Sequence, residues 1–163
     1  MDLLSFIPDN VTEVLVKIVQ FAELRRGILN GNIRGMDTPG YIPRDLPVIE
    51  FAELLHVAIS EHLQHQRLLF RDTANMTFGD GGTMRIHPIA DDHAAALLRT
   101  DPDEYLNLQI NRLVENSLNG KVAQELIRRH SGMPCCLPNV DSGNAVTTDA
   151  FPEDLSSRPS ATE

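Results

Sequence analysis

The segment from Asn30 to Asp45 constrains the fold most, because it stops a long amphipathic helix and redirects the chain. It reads NGNIRGMDTPGYIPRD. Gly31 and Gly35 each weaken helix propensity by about 1 kcal/mol relative to alanine. Pro39-Gly40 predicts a type II turn, since proline presets φ at the second position and glycine supplies φ > 0 at the third. We call residues 30–45 the turn segment.

Apolar residues recur at three- and four-residue intervals before this stop, which predicts an N-terminal amphipathic helix over residues 10–34. A capping-box pattern from Asn10 to Glu13 marks its predicted start. The apolar stripe of this helix comprises Val11, Val14, Leu15, Ile18, Ala22, Ile28, Leu29 and Ile33. Arg25 and Arg26 interrupt the stripe, and we expect both to lie on a solvated face.

The middle of the chain is predicted to be less regular. Residues 35–47 should turn and then run extended, and residues 48–71 should form a second helix. The buried side of that helix is predicted to carry Phe51, Leu54, Leu55, Ala58, Ile59, Leu63 and Leu69. Residues 75–99 are predicted to be irregular. They contain a glycine-rich turn at residues 79–82, which favours a small hairpin or a mobile loop, and a short helix from Asp91 to Arg99.

A C-terminal helix is predicted over residues 101–130. Thr100 or Asp101 can cap it, and Pro102 suits its first turn. Three basic residues followed by Gly132 favour a helix end at that point. The apolar side of this helix is predicted to comprise Leu106, Ile110, Leu113, Val114, Leu118, Val122, Leu126 and Ile127.

The chain after Met133 differs in composition from the rest. Residues 134–163 are rich in Ser, Thr, Asp, Pro and Gly and carry a net charge of −4. Such a segment is predicted to form a disordered acidic tail, because it cannot bury enough apolar surface to offset the entropy of ordering. Cys135 and Cys136 are adjacent, so they cannot join distant parts of the fold, and we expect no function for them.

The pattern as a whole predicts a mainly α fold in one helical domain, residues 1–133, followed by the tail. The long N- and C-terminal amphipathic helices should pair antiparallel as a coiled-coil-like unit, with the less regular segment between them. The length of 163 residues and a hydrophobic content of 42% suffice for one modest core.

Charge and motifs exclude several classes of function. The net charge is −9 without a basic stripe, which argues against nucleic-acid binding, because phosphate neutralisation supplies most of that affinity. No apolar run approaches the ~20 residues that span a bilayer, and the N-terminus lacks the charged and apolar regions of a cleaved signal peptide. No catalytic motif is recognisable, so we expect no enzyme activity, no catalytic residues and no cofactor.

Histidines provide the main alternative. His62 and His65 lie three residues apart on the second predicted helix, so one helix face could offer two imidazoles to a metal. Further ligands could come from His87, Asp91, Asp92 and His93. This alternative describes a small cytoplasmic helical protein with a metal-binding or regulatory role. The ordinary interpretation is a polar helix face, and we expect no metal.

The turn segment carries a more specific pattern. Its matching residues are Asn32, Ile33, Asp37, Thr38, Pro39, Gly40 and Tyr41, followed by Arg44 and Asp45. This order resembles the N-terminal signature of the flagellar basal-body rod proteins, most closely the FlgB type of the proximal rod. The departures are Gly31, Arg34, Gly35 and Met36, where Gly35 replaces an asparagine of the signature. A second match spans residues 113–118 and includes Asn116 and Leu118, and it resembles the C-terminal helix of the family.

The resemblance implies a structural protein of the bacterial flagellum. The subunit would be exported from the cytoplasm by the flagellar type III apparatus without a cleaved signal peptide. It would then assemble with other rod proteins and a FliE-type adaptor into the periplasm-spanning rod. Self-association in a helical tube would cover apolar surface that a two-helix pair leaves exposed.

Overall fold

The computed structural model describes residues 6–79 and 82–132, with side chains from Asn10 onward. The predicted acidic tail and the Cys135–Cys136 pair lie outside the described residues. Within the described ranges the order of elements is α1 (Phe6–Gly35), β1 (Arg44–Asp45), α2 (Val48–His65), β2 (Met76–Phe78), β3 (Met84–Ile86), β4 (Ile89–Ala90), α3 (Asp92–Thr100) and α4 (Pro102–His130). The predicted mainly helical fold is confirmed.

The two long helices α1 and α4 pack side by side and run antiparallel, as predicted. Near the start of α4, the Tyr105 hydroxyl donates a hydrogen bond to the Asn32 carbonyl oxygen at 3.1 Å. Further along α4, Asn116 Nδ2 donates to the Ala22 carbonyl oxygen at 2.7 Å. Gly120 allows a close approach, since a Cβ there would lie 3.2 Å from the Ala22 Cβ. The end of α1 therefore packs against the start of α4, and earlier residues of α1 pack against later residues of α4, so the two helices are antiparallel.

Helix α1 begins at Phe6, four residues before the predicted capping box. The capping prediction was wrong, because Asn10 lies inside the helix, with its Nδ2 3.5 Å from His62 Nδ1. Pro8 falls in the first turn, where the backbone N–H of any residue lacks an intrahelical acceptor, so proline is tolerated. The other end of α1 matches the prediction to within one residue, at Gly35.

Helix α2 begins at Val48 as predicted but ends at His65, so the predicted extension to Arg71 was wrong. The helix stops because Gln66 adopts φ +56, a left-handed conformation, and its N–H bonds to the His62 carbonyl oxygen at 2.8 Å. Leu69, predicted for the buried side of the helix, lies beyond it and is 45% exposed. Ile59 and Leu63 are also exposed, in contrast to the prediction.

The predicted hairpin forms between β2 and β3, which pair antiparallel with Met76 opposite Ile86. The predicted short helix corresponds to α3, whose first turn is capped by the Asp91 side chain accepting from Ala94 N. The sequence did not predict a second antiparallel pair, β1 with β4, in which Arg44 lies opposite Ala90. This pair joins the turn segment to the start of α3.

The apolar core lies where α1 and α2 meet the hairpin. Its buried residues are Phe21, Leu46, Phe51, Leu54 and Met76. The Phe21 and Phe51 rings stack with their centroids 4.1 Å apart and an interplanar angle of 7°. Lys17 is also buried and donates from Nζ to the Gly82 carbonyl oxygen at 2.5 Å, which ties the hairpin to α1.

Helix α4 buries a different face from the one that its apolar pattern predicts. The residues buried on α4 are Tyr105, Gln109, Asn116, Gly120 and Ala123. Val114 and Leu118, expected on the packing side, are 63% and 60% exposed. The polar side chains face α1 because they bond to groups of that helix, which leaves the apolar ridge on the outside. Among the described residues, no helix combines the length and apolar content that crossing a bilayer requires.

Candidate functional site

The predicted type II turn forms at the end of α1. Tyr41 N–H donates to the Thr38 carbonyl oxygen at 3.1 Å, and Gly40 has φ +77, the left-handed conformation that this turn needs at its third position. Thr38 N–H also donates to the Gly35 carbonyl oxygen at 2.9 Å, so the turn continues directly from the last turn of the helix. The turn segment is therefore held by its own backbone.

Asn32 is the centre of a hydrogen-bond network between the turn segment and the two long helices. Its Nδ2 donates to the Arg44 carbonyl oxygen at 2.7 Å and to Gln109 Oε1 on α4 at 3.0 Å. Its Oδ1 accepts from the Tyr41 hydroxyl at 3.0 Å and from Arg44 N at 3.1 Å. Asn32 is 1% exposed, and all four hydrogen-bonding positions of its side-chain amide are occupied.

Tyr105 extends this network to the α4 side. Its hydroxyl donates to the Asn32 carbonyl oxygen, and the residue is fully buried. Burial, together with the nearby Tyr41, raises the pKa of the Tyr105 hydroxyl to about 12. The hydroxyl therefore stays protonated at neutral pH and remains a donor. Its hydrogen bond to Asn32 fixes the position of α4 along the end of α1.

Gly35 leaves room for the Tyr41 ring beside the last turn of α1. The Tyr41 ring lies directly against its Cα, and a Cβ at position 35 would be 2.6 Å from both Tyr41 Cδ2 and Cζ. Only glycine leaves room for the ring in this position. The ring is held there because its hydroxyl reaches Asn32.

The other signature residues lie at the surface. Ile33 is half-buried, and Asp37, Thr38, Pro39 and Gly40 are exposed. The structure thus separates the signature into two parts: Asn32 and Tyr41 hold the segment from inside, and the turn itself is presented to solvent.

Beside the Asn32 network lies a cluster of four charged residues, of which Arg25 and Asp45 are buried and Asp91 and Arg112 are half-buried. Arg25 on α1 makes two hydrogen bonds to the Asp45 carboxylate, at 2.8 and 2.7 Å. Arg112 on α4 pairs with Asp91, and Arg112 Nη1 lies 3.7 Å from Asp45 Oδ2. The cluster is electrically neutral and joins four elements that are distant in sequence. The expectation that Arg25 lies on a solvated face was wrong, because Asp45 of the turn segment pairs with it.

The charge state of Asp91 is set by this cluster. Burial acts to raise the pKa of the Asp91 carboxyl, but the hydrogen bond from Ala94 N and the Arg112 guanidinium outweigh it, so the pKa lies below its ordinary value. Asp91 is therefore ionised at neutral pH. It neutralises Arg112 and caps α3 at the same time. Arg26, in contrast to Arg25, is exposed as expected and pairs with Glu23.

The two residues of the C-terminal match occupy opposite faces of α4. Asn116 is buried and bonds to the Ala22 carbonyl oxygen, so it belongs to the seam with α1. Leu118 is exposed on the outer face. The match therefore contributes one residue to the internal packing and one to the surface.

Sequence reasoning missed the inward polar face of α4, of which it had named Asn116 alone. Tyr105, Gln109, Arg112 and Asn116 follow one another at spacings of four, three and four, which places them on one helix face. That spacing indicates one polar helix face, but the prediction took the apolar face of α4 as the buried one. Tyr105 and Gln109 bond to Asn32, Arg112 pairs with Asp91, and Asn116 bonds to the Ala22 carbonyl oxygen, so these groups position α4 against α1 and the turn segment.

The structure does not bring the histidine candidates together. In residues 6–79 and 82–132, no group of three or more His, Cys, Asp or Glu side chains is placed to hold a metal ion. His62 lies beside Asn10, and His65 is exposed at the end of α2. His87 and His93 are exposed near β3 and α3.

Comparison of this chain with protein-family models, with curated proteins and with solved structures finds no match.

Proposed function

We propose that this protein is a structural subunit of the bacterial flagellar basal body, a proximal-rod protein of the FlgB type. The observation that carries the proposal is the position of Asn32 and Asn116. These residues come from the two sequence matches at opposite ends of the chain, and both lie on the seam between α1 and α4. Each asparagine makes a hydrogen bond across that seam, so both matches contribute to the packing of the same two helices.

The outer face of α4 supports an assembling protein. Ile110, Val114, Leu118 and Val122 are spaced four residues apart and are all exposed, so they form one apolar ridge. Such ridges mark interaction surfaces on soluble proteins. In the proposed rod, neighbouring subunits cover the ridge through contacts that repeat around a helical tube.

The remaining parts of the proposal follow from the family resemblance. The subunit is exported without a cleaved signal peptide and becomes part of the periplasm-spanning rod. It contacts other rod proteins and a FliE-type adaptor, and it transmits torque as part of the drive-shaft tube required for motility. The protein has no catalytic role in this proposal, and its mechanism is folding and packing coupled to assembly.

Deletion of the gene in its own organism tests the proposal. We expect loss of motility and of hook–basal-body particles, with both restored by the wild-type gene. Gly40→Val should be exported but fail to restore rods, because φ +77 is unfavourable for a β-branched residue. Gly40→Asn is the matched control, since asparagine tolerates that conformation. Normal motility and intact basal bodies in the deletion strain would refute the proposal.

The ridge can be tested separately from the turn. Leu118→Asp should leave the free subunit folded, because Leu118 is exposed, and should abolish rod formation by placing a charge in the ridge. Gln124→Glu adds the same charge about 120° around α4 from Leu118 and should retain rods. Rods formed by Leu118→Asp would show that the ridge is not an assembly contact.

The metal-binding alternative gives opposite results. Changing His62 and His65 together to Gln should leave motility unchanged if the protein is a rod subunit. The melting temperature of the wild type should also be the same with zinc and with a chelator. A rise in melting temperature with zinc that disappears in the double variant would favour the alternative.

A further inference from the structure

An open cleft of about 600 Å³ lies between the start of α2, the start of α3 and the middle of α4. We call it the α2–α4 cleft. Its volume falls in the range of about 300–1,000 Å³ that is typical of ligand-binding sites. The apolar part of its lining consists of Leu46, Pro47, Val48, Ile49, Ile89 and Ala90.

Two isoleucines leave apolar surface uncovered in this cleft. Ile49, in the first turn of α2, is 77% exposed, and Ile89 of β4 is 42% exposed. Both line the cleft, so their exposed surface faces a concave site. Exposed apolar surface in such a place favours an occupant that carries apolar side chains of its own.

The charges of the cleft are strongly unbalanced. Two arginines and six carboxylates line it, which gives the lining a net charge of −4. The two arginines are already neutralised, because Arg25 pairs with Asp45 and Arg112 pairs with Asp91. The carboxylates left in excess are those of Glu50, Glu53, Asp92 and Glu115.

These excess carboxylates are spread over three helices and are not gathered at one point. In residues 6–79 and 82–132, no group of three or more His, Cys, Asp or Glu side chains is placed to hold a metal ion. Glu53 and Glu115 are exposed and take part in no ion pair within the same ranges. Separated carboxylates of this kind match several cationic groups along one extended occupant better than they match a single ion.

The α2 wall of the cleft carries two of these carboxylates in a fixed arrangement. Asn75 Nδ2 donates to Glu50 Oε2 at 2.8 Å, and Asn75 N–H donates to Glu50 Oε1 at 3.3 Å. Hydrogen bonds from the Asn75 side chain and from Thr73 lower the pKa of the Glu50 carboxyl, so it is ionised at neutral pH. Glu53 lies three residues further along α2 and therefore on the same side of the helix.

We propose that the α2–α4 cleft binds a basic, partly apolar segment of a protein partner. Lysine or arginine side chains of the segment pair with Glu53 and Glu115, and its apolar side chains cover Ile49 and Ile89. Charge favours a different protein over a second copy, because a chain of net charge −9 is repelled by a cleft of the same sign. This inference goes beyond the proposed function and holds whether or not the chain is a rod subunit.

Fluorescence anisotropy with a defined peptide and the full chain tests the proposal. The peptide, GKLKLKG, carries fluorescein and alternates lysine with leucine, and a comparison peptide has glutamate in place of each lysine. We expect the lysine peptide to bind at least about tenfold more tightly than the glutamate peptide. Its affinity should fall as the salt concentration rises, because salt screens exposed charges. Equal affinity for the two peptides, or no binding of the lysine peptide, would overturn the proposal.

Paired substitutions separate the cleft from general attraction to an acidic protein. Glu53→Gln with Glu115→Gln should weaken binding of the lysine peptide at least about fivefold, because two ion pairs are lost. Glu13→Gln with Glu104→Gln removes the same charge from exposed positions outside the cleft and should change the affinity less than about twofold. Equal losses of affinity in the two double variants would contradict the proposed site.

Methyl NMR tests the apolar part of the site. The lysine peptide should shift the methyl signals of Ile49 and Ile89, whereas Ile59, exposed on α2 and outside the cleft, serves as the reference. Ile49→Ser should weaken binding about fivefold or more through lost apolar burial, and Ile59→Ser should leave it unchanged. Shifts at Ile59 as large as those at Ile49 would rule the cleft out as the binding site.

The same signals distinguish a partner from a second copy. Under the proposal, the Ile49 and Ile89 methyl signals of the protein without peptide stay constant as the protein concentration rises. Signals that change with protein concentration would assign the cleft to a second copy of the chain and would refute the proposal.

Discussion

Replacing Asn32 by alanine tests the central network of the fold. The substitution removes the side chain that joins the turn segment to α4 and leaves no group able to bridge Arg44, Tyr41 and Gln109. Arg44 loses the bonds of its backbone N–H and carbonyl oxygen. The Tyr41 hydroxyl can turn to water, because Tyr41 is half-buried. Gln109 cannot, because it is fully buried and its Nε2 already lacks a partner within the described residues.

The expected cost follows from the four hydrogen bonds that Asn32 makes. At about 1 kcal/mol net for each bond, Asn32→Ala should lower the free energy of unfolding by about 4 kcal/mol. The stranded Gln109 amide adds to this cost, since a buried group without a partner costs about 1–3 kcal/mol. Because small domains are stable by only about 5–15 kcal/mol, the loss should be large enough to leave the variant marginally folded.

Urea unfolding followed by circular dichroism measures this effect. Asn107→Ala is the matched control, because Asn107 is exposed on α4, and its free energy of unfolding should stay within about 0.5 kcal/mol of wild type. Adding Gln109→Leu to Asn32→Ala should recover part of the loss, since it removes the stranded amide. If Asn32→Ala changed the free energy of unfolding by less than about 1 kcal/mol, the assignment of Asn32 as the centre of the network would be refuted.

Asp91→Asn keeps the cap of α3 but loses the pairing with Arg112, so we expect a loss of about 1.5–3 kcal/mol at pH 7. The folded-state pKa of Asp91 is lowered, so its contribution is present above the unfolded pKa of about 4 and is lost at more acid pH. The free energies of unfolding of wild type and Asp91→Asn, measured with urea, should therefore converge as the pH falls from 7 to 2. A difference that stays constant over this range would contradict the prediction. Gly35→Ala should lower the melting temperature by displacing the Tyr41 ring, whereas Gly31→Ala, which meets open space, should raise it. If Gly35→Ala and Gly31→Ala had equal melting temperatures, the close packing of the Tyr41 ring at Gly35 would be excluded.

The sequence determined the features that depend on neighbours within a few residues. The Thr38–Tyr41 turn, the end of α1 and the cap of α4 by Asp101 were all predictable, because proline and glycine geometry and side-chain caps act locally. The antiparallel pairing of the two long helices was also predicted, and the hydrogen bonds between them confirm it. The local signals failed at the start of α1, where helix continues through Asn10, and at Gln66, where helix stops without a glycine.

Only the tertiary structure decided which side of α4 is buried and what Arg25 does. Apolar periodicity alone favours burying Val114 and Leu118, but it contains no information on the groups that a partner helix offers. Once α1 brings Asn32 to the seam, the inward amide of Gln109 has a bonding partner, and the apolar ridge remains outside. Likewise, Arg25 becomes a buried residue because the turn returns Asp45 to it from twenty positions away. Pairing between distant polar groups cannot be predicted from periodicity, since it depends on the path of the chain between them.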